Sequence, residues 1–396
     1  MGITVFTGGT ILIDPAPGAT PITSDALAVR DGVVLALGAE AAEFASHPAV
    51  EVIDLAGGTL APAVGDGHAH PMLGGVEALG PAIRQADDLP GIIAAVAAWR
   101  DAHPDAPWIV GGSYDATFSD EGLFDAHWLD EVTGDTPTIL RAWDYHTAWV
   151  NSAALAAGGI TAETEDPALG RIVRREDGSP LGTLQEAAAN DFLAQVVPPF
   201  SLEQRIDALD RATRAYAEQG TTWVQDAWVE PSDIEVYVAA VEQHRLHTRV
   251  NLAQRADPAT WRDQVAAFVA TRAVIRELGA ERLSAETVKF FVDGVIESHT
   301  AALIDPYADR PDEHGLPNWS AAELAEAAAA FDAEGFQLHL HAIGDAANRS
   351  ALDAMAGGIS AALHAAQGDP SAVVAEVLGH YAADPLLLLG RDCPCR

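Results

Sequence analysis

The sequence predicts an α/β protein in which a parallel sheet with intervening helices follows a small all-β region. Three observations predict it. From residue 60 onward, short apolar strands alternate with long amphipathic helices, the pattern of βαβ units. Before residue 40 no helical period appears. Two helices announce their ends: Ser201 with Gln204 and Ser320 with Glu323 are capping boxes, and Gly220 and Gly335 follow as stops. Such alternation is built either as a barrel or as a doubly wound sheet.

In chain order, ALAVRDGVVLALG is two apolar runs joined by Asp31-Gly32, a hairpin signal. EVIDLAG continues the β region, which we bound at residues 1–58. The strands expected in residues 59–385 are TLAPAV, PWIVGG, PTILRAW, TTWVQDA, TRVNLAQ, TVKFFVDG, FQLHLHA and AVVAEVLGH. Residues 75–200 are too long for one crossover, so they read as an insertion over the sheet's functional end. Within it lie the strands bearing Trp108 and Trp143 and a loop, EDPALGRIVRREDGSPLG. Residues 386–396 form an atypical tail. No G-x-G-x-x-G or G-x-x-x-x-G-K-[ST] occurs, which removes the main support for a dinucleotide or P-loop site.

Composition narrows the function classes. The 396 residues are 49% hydrophobic, enough for a large core, and no apolar run reaches the roughly 20 residues of a membrane span. The net charge of −36 repels phosphate backbones, so nucleic acid is not an expected partner. The only cysteines, Cys393 and Cys395, cannot build a disulfide framework, and no leader is evident at the N-terminus; both point to the cytoplasm. Two carboxylates across a sugar-binding cleft do not stand out above the acidic background.

Three segments could carry chemistry. In GDGHAHP, residues two apart on a strand face the same way, so Asp66, His68 and His70 project together. Two neutral imidazoles so placed can clamp a borderline cation such as Zn²⁺; the alternative is a pair of satisfied surface histidines. Lys289 is the single lysine, and in ETVKFFVDG it shares a face with Thr287, Phe291 and Asp293. With Val288, Phe290 and Val292 toward the helices, the amine points inward, where it either pairs with Asp293 or, deprotonated, takes up carbon dioxide as a carbamate. FQLHLHAIGD supplies His339 and His341. Of these, His341 is the better ligand candidate, His339 reads as a hydrogen-bonded core histidine one layer deeper, and Asp345 as a helix cap.

GDGHAHP, VKFFVDG and HAIGDAA, in this order and spacing, resemble the amidohydrolase superfamily, and more narrowly its YtcJ-like, amidohydrolase-3 branch, which includes N-substituted formamide deformylases. RAWDYHTAWVNSAAL and GRIVRREDGSPLGTLQEAA resemble the same branch, and the likeness runs from about residue 3 to 355. It implies a distorted (β/α)8 barrel with a β-sandwich-like N-terminal region. It further implies one or two divalent ions, Zn²⁺ foremost, held by His68, His70, His341 and a carboxylated Lys289. The implied reaction is hydrolysis of an amide-type C–N bond in a small molecule by metal-activated water. Asp144, Tyr145 and His146 fall where the family places substrate-side residues. The family continues through a further histidine and a proton-shuttling aspartate; here His380 has unlike flanks, and Asp392 has no strand before it. The expected barrel therefore has about six strands, no catalytic proton shuttle is assigned, and the alternative is an inactive remnant. Oligomeric state is not expressed in these motifs.

Overall fold

The computed structural model describes residues 2–14, 22–119, 122–143, 145–168, 170–296 and 299–365. Asp144, AVVAEVLGH with His380, and the tail with Asp392, Cys393 and Cys395 lie outside the described residues. The described chain separates into an N-terminal unit, up to Gly65, and a larger one comprising Asp66–Gln219 and Trp223–Ala361.

The N-terminal unit holds strands β1 (Ile3–Thr7), β2 (Thr10–Asp14), β3 (Ile22–Ser24), β4 (Leu27–Arg30), β5 (Val33–Leu37), β6 (Glu51–Asp54) and β7 (Thr59–Leu60). They form two sheets, ordered β5-β4-β1-β6 and β3-β2-β7. The expected Asp31-Gly32 hairpin is present: φ is 54° and 79° at its two central residues, the left-handed pair that a tight turn between twisted strands requires. TLAPAV is not one strand. Thr59–Leu60 pairs with β2, and a separate strand, β8 (Val64–Ala69), begins after Pro62, whose missing N–H breaks the run.

The insertion is a mixed sheet rather than strands plus a loop. Its members are β9 (Ile109–Tyr114), β10 (Thr138–Ala142), β11 (Thr147–Val150), β12 (Gly170–Arg174) and β13 (Pro180–Glu186), ordered β12-β13-β11-β10-β9. The segment expected to be a loop is thus an antiparallel hairpin, β12–β13. Between its Gly, Pro and Asp residues, R-I-V-R places Ile172 and Val173 side by side, and both are buried, Ile172 against the insertion core.

The larger sheet is ordered β17-β16-β15-β14-β8, with β14 (Thr221–Val229), β15 (Arg249–Arg255), β16 (Leu283–Phe291) and β17 (Gln337–His341). The β14–β15, β15–β16 and β16–β17 pairs are parallel, and helices cross between the strands, so five of the six expected strands fall among the described residues. Helix Leu202–Glu218 starts at the complete Ser201/Gln204 capping box. Helix Ala321–Ala333 starts at Ser320, whose hydroxyl accepts from the Glu323 N–H. As the period of two requires, Val288, Phe290 and Val292 pack with Phe268, Leu324 and Phe331 on the helix side. That choice turns Lys289 to the opposite face of the sheet. No helix among the described residues is long and apolar enough to cross a membrane.

Candidate metal centre

The site begins where β8 ends. His68 and His70 lie edge to face with ring centroids 5.3 Å apart, as same-face neighbours on a strand should. The Asp66 carboxylate accepts from the His68 backbone N–H at 3.1 Å. His70 Nδ1 is buried without a hydrogen-bond partner; the nearest carboxylate oxygen is Oδ1 of the fully buried Asp226, 3.7 Å away.

Lys289 is 1% exposed, and its Nζ lies 4.8 Å from the centre of the Phe291 ring. Burial alone lowers its pKa from 10.5 to about 8. The expected alternative, an ion pair with Asp293, is not what holds that carboxylate. Asp293 accepts instead from the backbone N–H groups of Ala302, Ile343 and Gly344 at 2.8–3.0 Å, tying the loop after β16 to the loop after β17. Gly344 is obligatory in this tie, since a Cβ there would stand 1.9 Å from the Ala302 carbonyl oxygen.

His341 ends β17 in register with Phe291. Its Nε2 lies 3.0 Å from the Gly294 carbonyl oxygen; a carbonyl only accepts, so Nε2 carries the proton and the lone pair is on Nδ1. His339 lies one layer deeper along β17 than His341, as expected, but the layer it enters is that of Lys289 and not a closed core. Its Cα is in register with Lys289, and its Nε2 lies 3.0 Å from His68 Nδ1, so it stands in the same layer as the metal candidates. It is hydrogen-bonded, as expected of a core histidine, but its partner across the sheet belongs to the site.

The cluster is electrostatically one unit. Desolvation, then Lys289, His70 and His341, lower the His68 pKa to about 4, with Asp66 opposing. Desolvation, then Lys289 and the neighbouring imidazoles, lower His339 to about 3. His341 is lowered by desolvation, Lys289 and His146, against the upward pull of its bond to Gly294 and of Asp293. At neutral pH these rings are therefore uncharged, which is the ligating form of imidazole. In donor type the set suits a borderline divalent cation: neutral imidazoles, a buried amine and orienting carboxylates nearby. Among the described residues no three His, Cys, Asp or Glu side chains already stand close enough together to hold an ion.

Of the substrate-side candidates, Tyr145 and His146 lie among the described residues. His146 has its Nδ1 2.9 Å from Glu186 Oε2, and its charge reaches His341, so the insertion delivers it to the same neighbourhood. Next to it, burial and a hydrogen bond to Glu77 push the Tyr145 hydroxyl up to about 12.

Sequence reasoning missed Gln225, Asp226 and Asn251. All three are polar and buried in strands otherwise rich in apolar residues, and that mismatch was the available signal. Beneath the imidazoles, Asn251 bonds Gln225 and Thr287, and Thr287 bonds Gln337.

The Amidohydrolase family model matches residues 51–392. The chain belongs to the amidohydrolase family, in its YtcJ-like branch. Relatives include Protein LONG AFTER FAR-RED 3 of Arabidopsis thaliana, 29% identical over 83% of this chain and 57% of its own length. The putative amidohydrolase YtcJ of Bacillus subtilis is 28% identical over 84% and 62%. N-substituted formamide deformylase of Arthrobacter pascens is 27% identical over 84% and 62%. The chain thus spans 57–73% of the length of the curated relatives it matches. Among solved structures, an uncharacterized metal-dependent hydrolase from Pyrococcus furiosus superposes with a TM-score of 0.65, covering 90% of this chain and 70% of that one at 22% identity. That likeness shows that the two chains share a mixed α/β fold.

Proposed function

We propose that this protein is a metal-dependent amidohydrolase that cleaves an amide- or formamide-like C–N bond of a small molecule. The observation that carries the reading is that desolvation and the charge of one buried amine, Lys289, hold the His68 and His341 rings neutral, with the His70 ring 5.3 Å from that of His68. Zn²⁺, one ion or two, would be held by His68, His70, His341 and Lys289, and when bound supplies Lewis acidity that makes water nucleophilic near neutral pH. Lys289 would serve as its carbamate: the neutral amine attacks carbon dioxide, forms an N–C bond and releases one proton, so a buried cation becomes an anion. His146, oriented by Glu186, and Asp144 would contact the substrate from the insertion. The N-terminal region would form part of a composite β-sandwich. The relative named as a formamide deformylase and the fold neighbour named as a metal-dependent hydrolase support this chemistry. The same reading puts the protein in the cytoplasm, with neither nucleic acid nor membrane as partner.

Metal analysis of the purified chain tests it. Near-stoichiometric zinc, lost in Lys289→Ala, with amine release from N-substituted formamides that stops on chelation and returns with zinc, is the expected result. A protein that takes up no zinc overturns it. That outcome would instead favour the second reading, a chain that binds metal poorly and does not turn over, which is supported by the lack of a ready three-ligand group among the described residues.

A further inference from the structure

We propose that Gln225 and Asp226, adjacent on β14, set opposite tautomers on two imidazoles of the site. His339 is kept as an Nε2–H donor toward His68 and is not a ligand, while His70 is kept as Nδ1–H with its Nε2 lone pair available to a metal.

The first half follows from a chain of hydrogen bonds whose direction is set at one end by a backbone group. The Glu286 backbone N–H can only donate, and it donates to Asn251 Oδ1 at 3.0 Å; the Ser284 hydroxyl donates to the same oxygen at 2.9 Å. The Asn251 amide nitrogen is therefore the atom facing Gln225, and it donates to Gln225 Oε1 at 3.1 Å. That bond leaves Gln225 Nε2 facing His339 Nδ1, to which it donates. A neutral imidazole that accepts at Nδ1 carries its hydrogen on Nε2. The Nε2–H of His339 then points at His68 Nδ1, 3.0 Å away, so in the metal-free chain a neutral His68 carries its own hydrogen on Nε2, and a metal that takes His68 as a ligand must displace the His339 bond from Nδ1. Reversing a link between Asn251 and His339 would set two donors or two acceptors face to face in a buried or half-buried layer, which costs about 1–3 kcal/mol per unsatisfied group where it stays dry; the last link, to His68, is exposed.

The second half rests on Asp226, which is 0% exposed. Its two oxygens accept from the Tyr237 hydroxyl and, at 3.2 Å, from the Trp228 backbone N–H. The oxygen that accepts from Trp228, Oδ1, is also the one 3.7 Å from the otherwise unpartnered His70 Nδ1. A lone pair there would be repelled by the carboxylate, and an N–H attracted. A histidine whose Nδ1–H faces a carboxylate presents Nε2 to a metal, and such a partner holds the ring's orientation. Gln225 and Asp226 are thus positioning residues that sort two histidines of similar surroundings into a donor and a ligand. Their effect on metal binding rests on the proposed function; the tautomers themselves do not.

The test is long-range ¹H–¹⁵N correlation on the ¹⁵N-histidine-labelled, metal-stripped full chain at neutral pH, followed by zinc titration. Wild type should show His339 protonated at Nε2 and His70 at Nδ1. Gln225→Glu replaces the donor with an acceptor and should invert the His339 pattern alone. Asp226→Leu should abolish the His70 pattern and weaken zinc binding about 10- to 100-fold. Asp226→Asn should preserve both, because Trp228 still donates to the remaining oxygen. Wild-type His339 protonated at Nδ1, or His70 at Nε2, overturns the proposal whether or not any variant folds. If the tautomers are as stated and zinc does not bind, the hydrolase reading fails and the assignment stands. If zinc binds and the tautomers are reversed, the assignment fails and the hydrolase reading stands.

Discussion

Replacing Lys289 with methionine should stabilise the metal-free protein. Below about pH 8 the folded state carries an ammonium at a site that is 1% exposed, whereas the unfolded chain solvates it freely. The pKa falls from 10.5 to about 8, so with one pH unit worth 1.36 kcal/mol the ammonium costs the folded state about 3 kcal/mol at pH 7. Between pH 8 and 10.5 the unfolded chain binds more protons than the folded one, so unfolding free energy rises with pH across that window. Methionine matches the length and apolar stem of lysine without its charge. Lys289→Met should therefore be up to about 3 kcal/mol more stable at pH 7, and the two proteins should converge by pH 10.5. Urea unfolding in chelator and carbon dioxide-free buffer, followed by the fluorescence of the nine tryptophans, measures the difference at each pH. His68, His339 and His341, whose pKa values Lys289 lowers, are uncharged across this window and so drop out of the comparison. A variant equally or less stable at pH 7, with an unchanged pH slope, would refute the claim that desolvation dominates at this amine.

The remaining predictions concern the supports of the same site. The depressed values at His68 and His339 mean that the unfolded chain binds protons first, so metal-free stability should fall as pH drops from 6.5 toward 4; acid titration by circular dichroism should show a shallower fall in His339→Gln. Asp293→Ala leaves three backbone N–H groups without their acceptor and should cost about 3–5 kcal/mol in thermal unfolding, since each orphaned group costs about 1–3 kcal/mol where it stays dry. Gly344→Ala drives a Cβ into the Ala302 carbonyl at a residue whose own N–H is tied to Asp293, three residues after His341; zinc affinity should drop at least tenfold, measured by competition with a chromophoric chelator. Tyr237→Phe removes one donor to Asp226 and should cost about 1–2 kcal/mol, read from urea midpoints.

What could be read in the sequence was whatever repeats locally. A period of two placed His68 with His70 and Lys289 away from Val288, Phe290 and Val292. Capping chemistry marked the helices starting after Ser201 and Ser320, and a lone lysine in a strand stood out by scarcity. These features depend on residues a few positions apart, so a linear reading reaches them.

The rest depends on register between distant strands. His339 reads as a core histidine until β17 pairs with β16 at Lys289 and meets β8 from 271 residues away. Gln225, Asp226 and Asn251 look like ordinary polar positions, because a strand residue has the same local pattern whether its partner is water, a backbone N–H or an imidazole. Asp293 looked like a counter-ion to Lys289 because the two share a strand face; only the return of the chain at Ala302 and Gly344 supplied the three amides that hold it instead. Chemistry-bearing residues were thus legible by type and spacing, while their protonation, orientation and partners were decided by which backbone groups the fold brought against them.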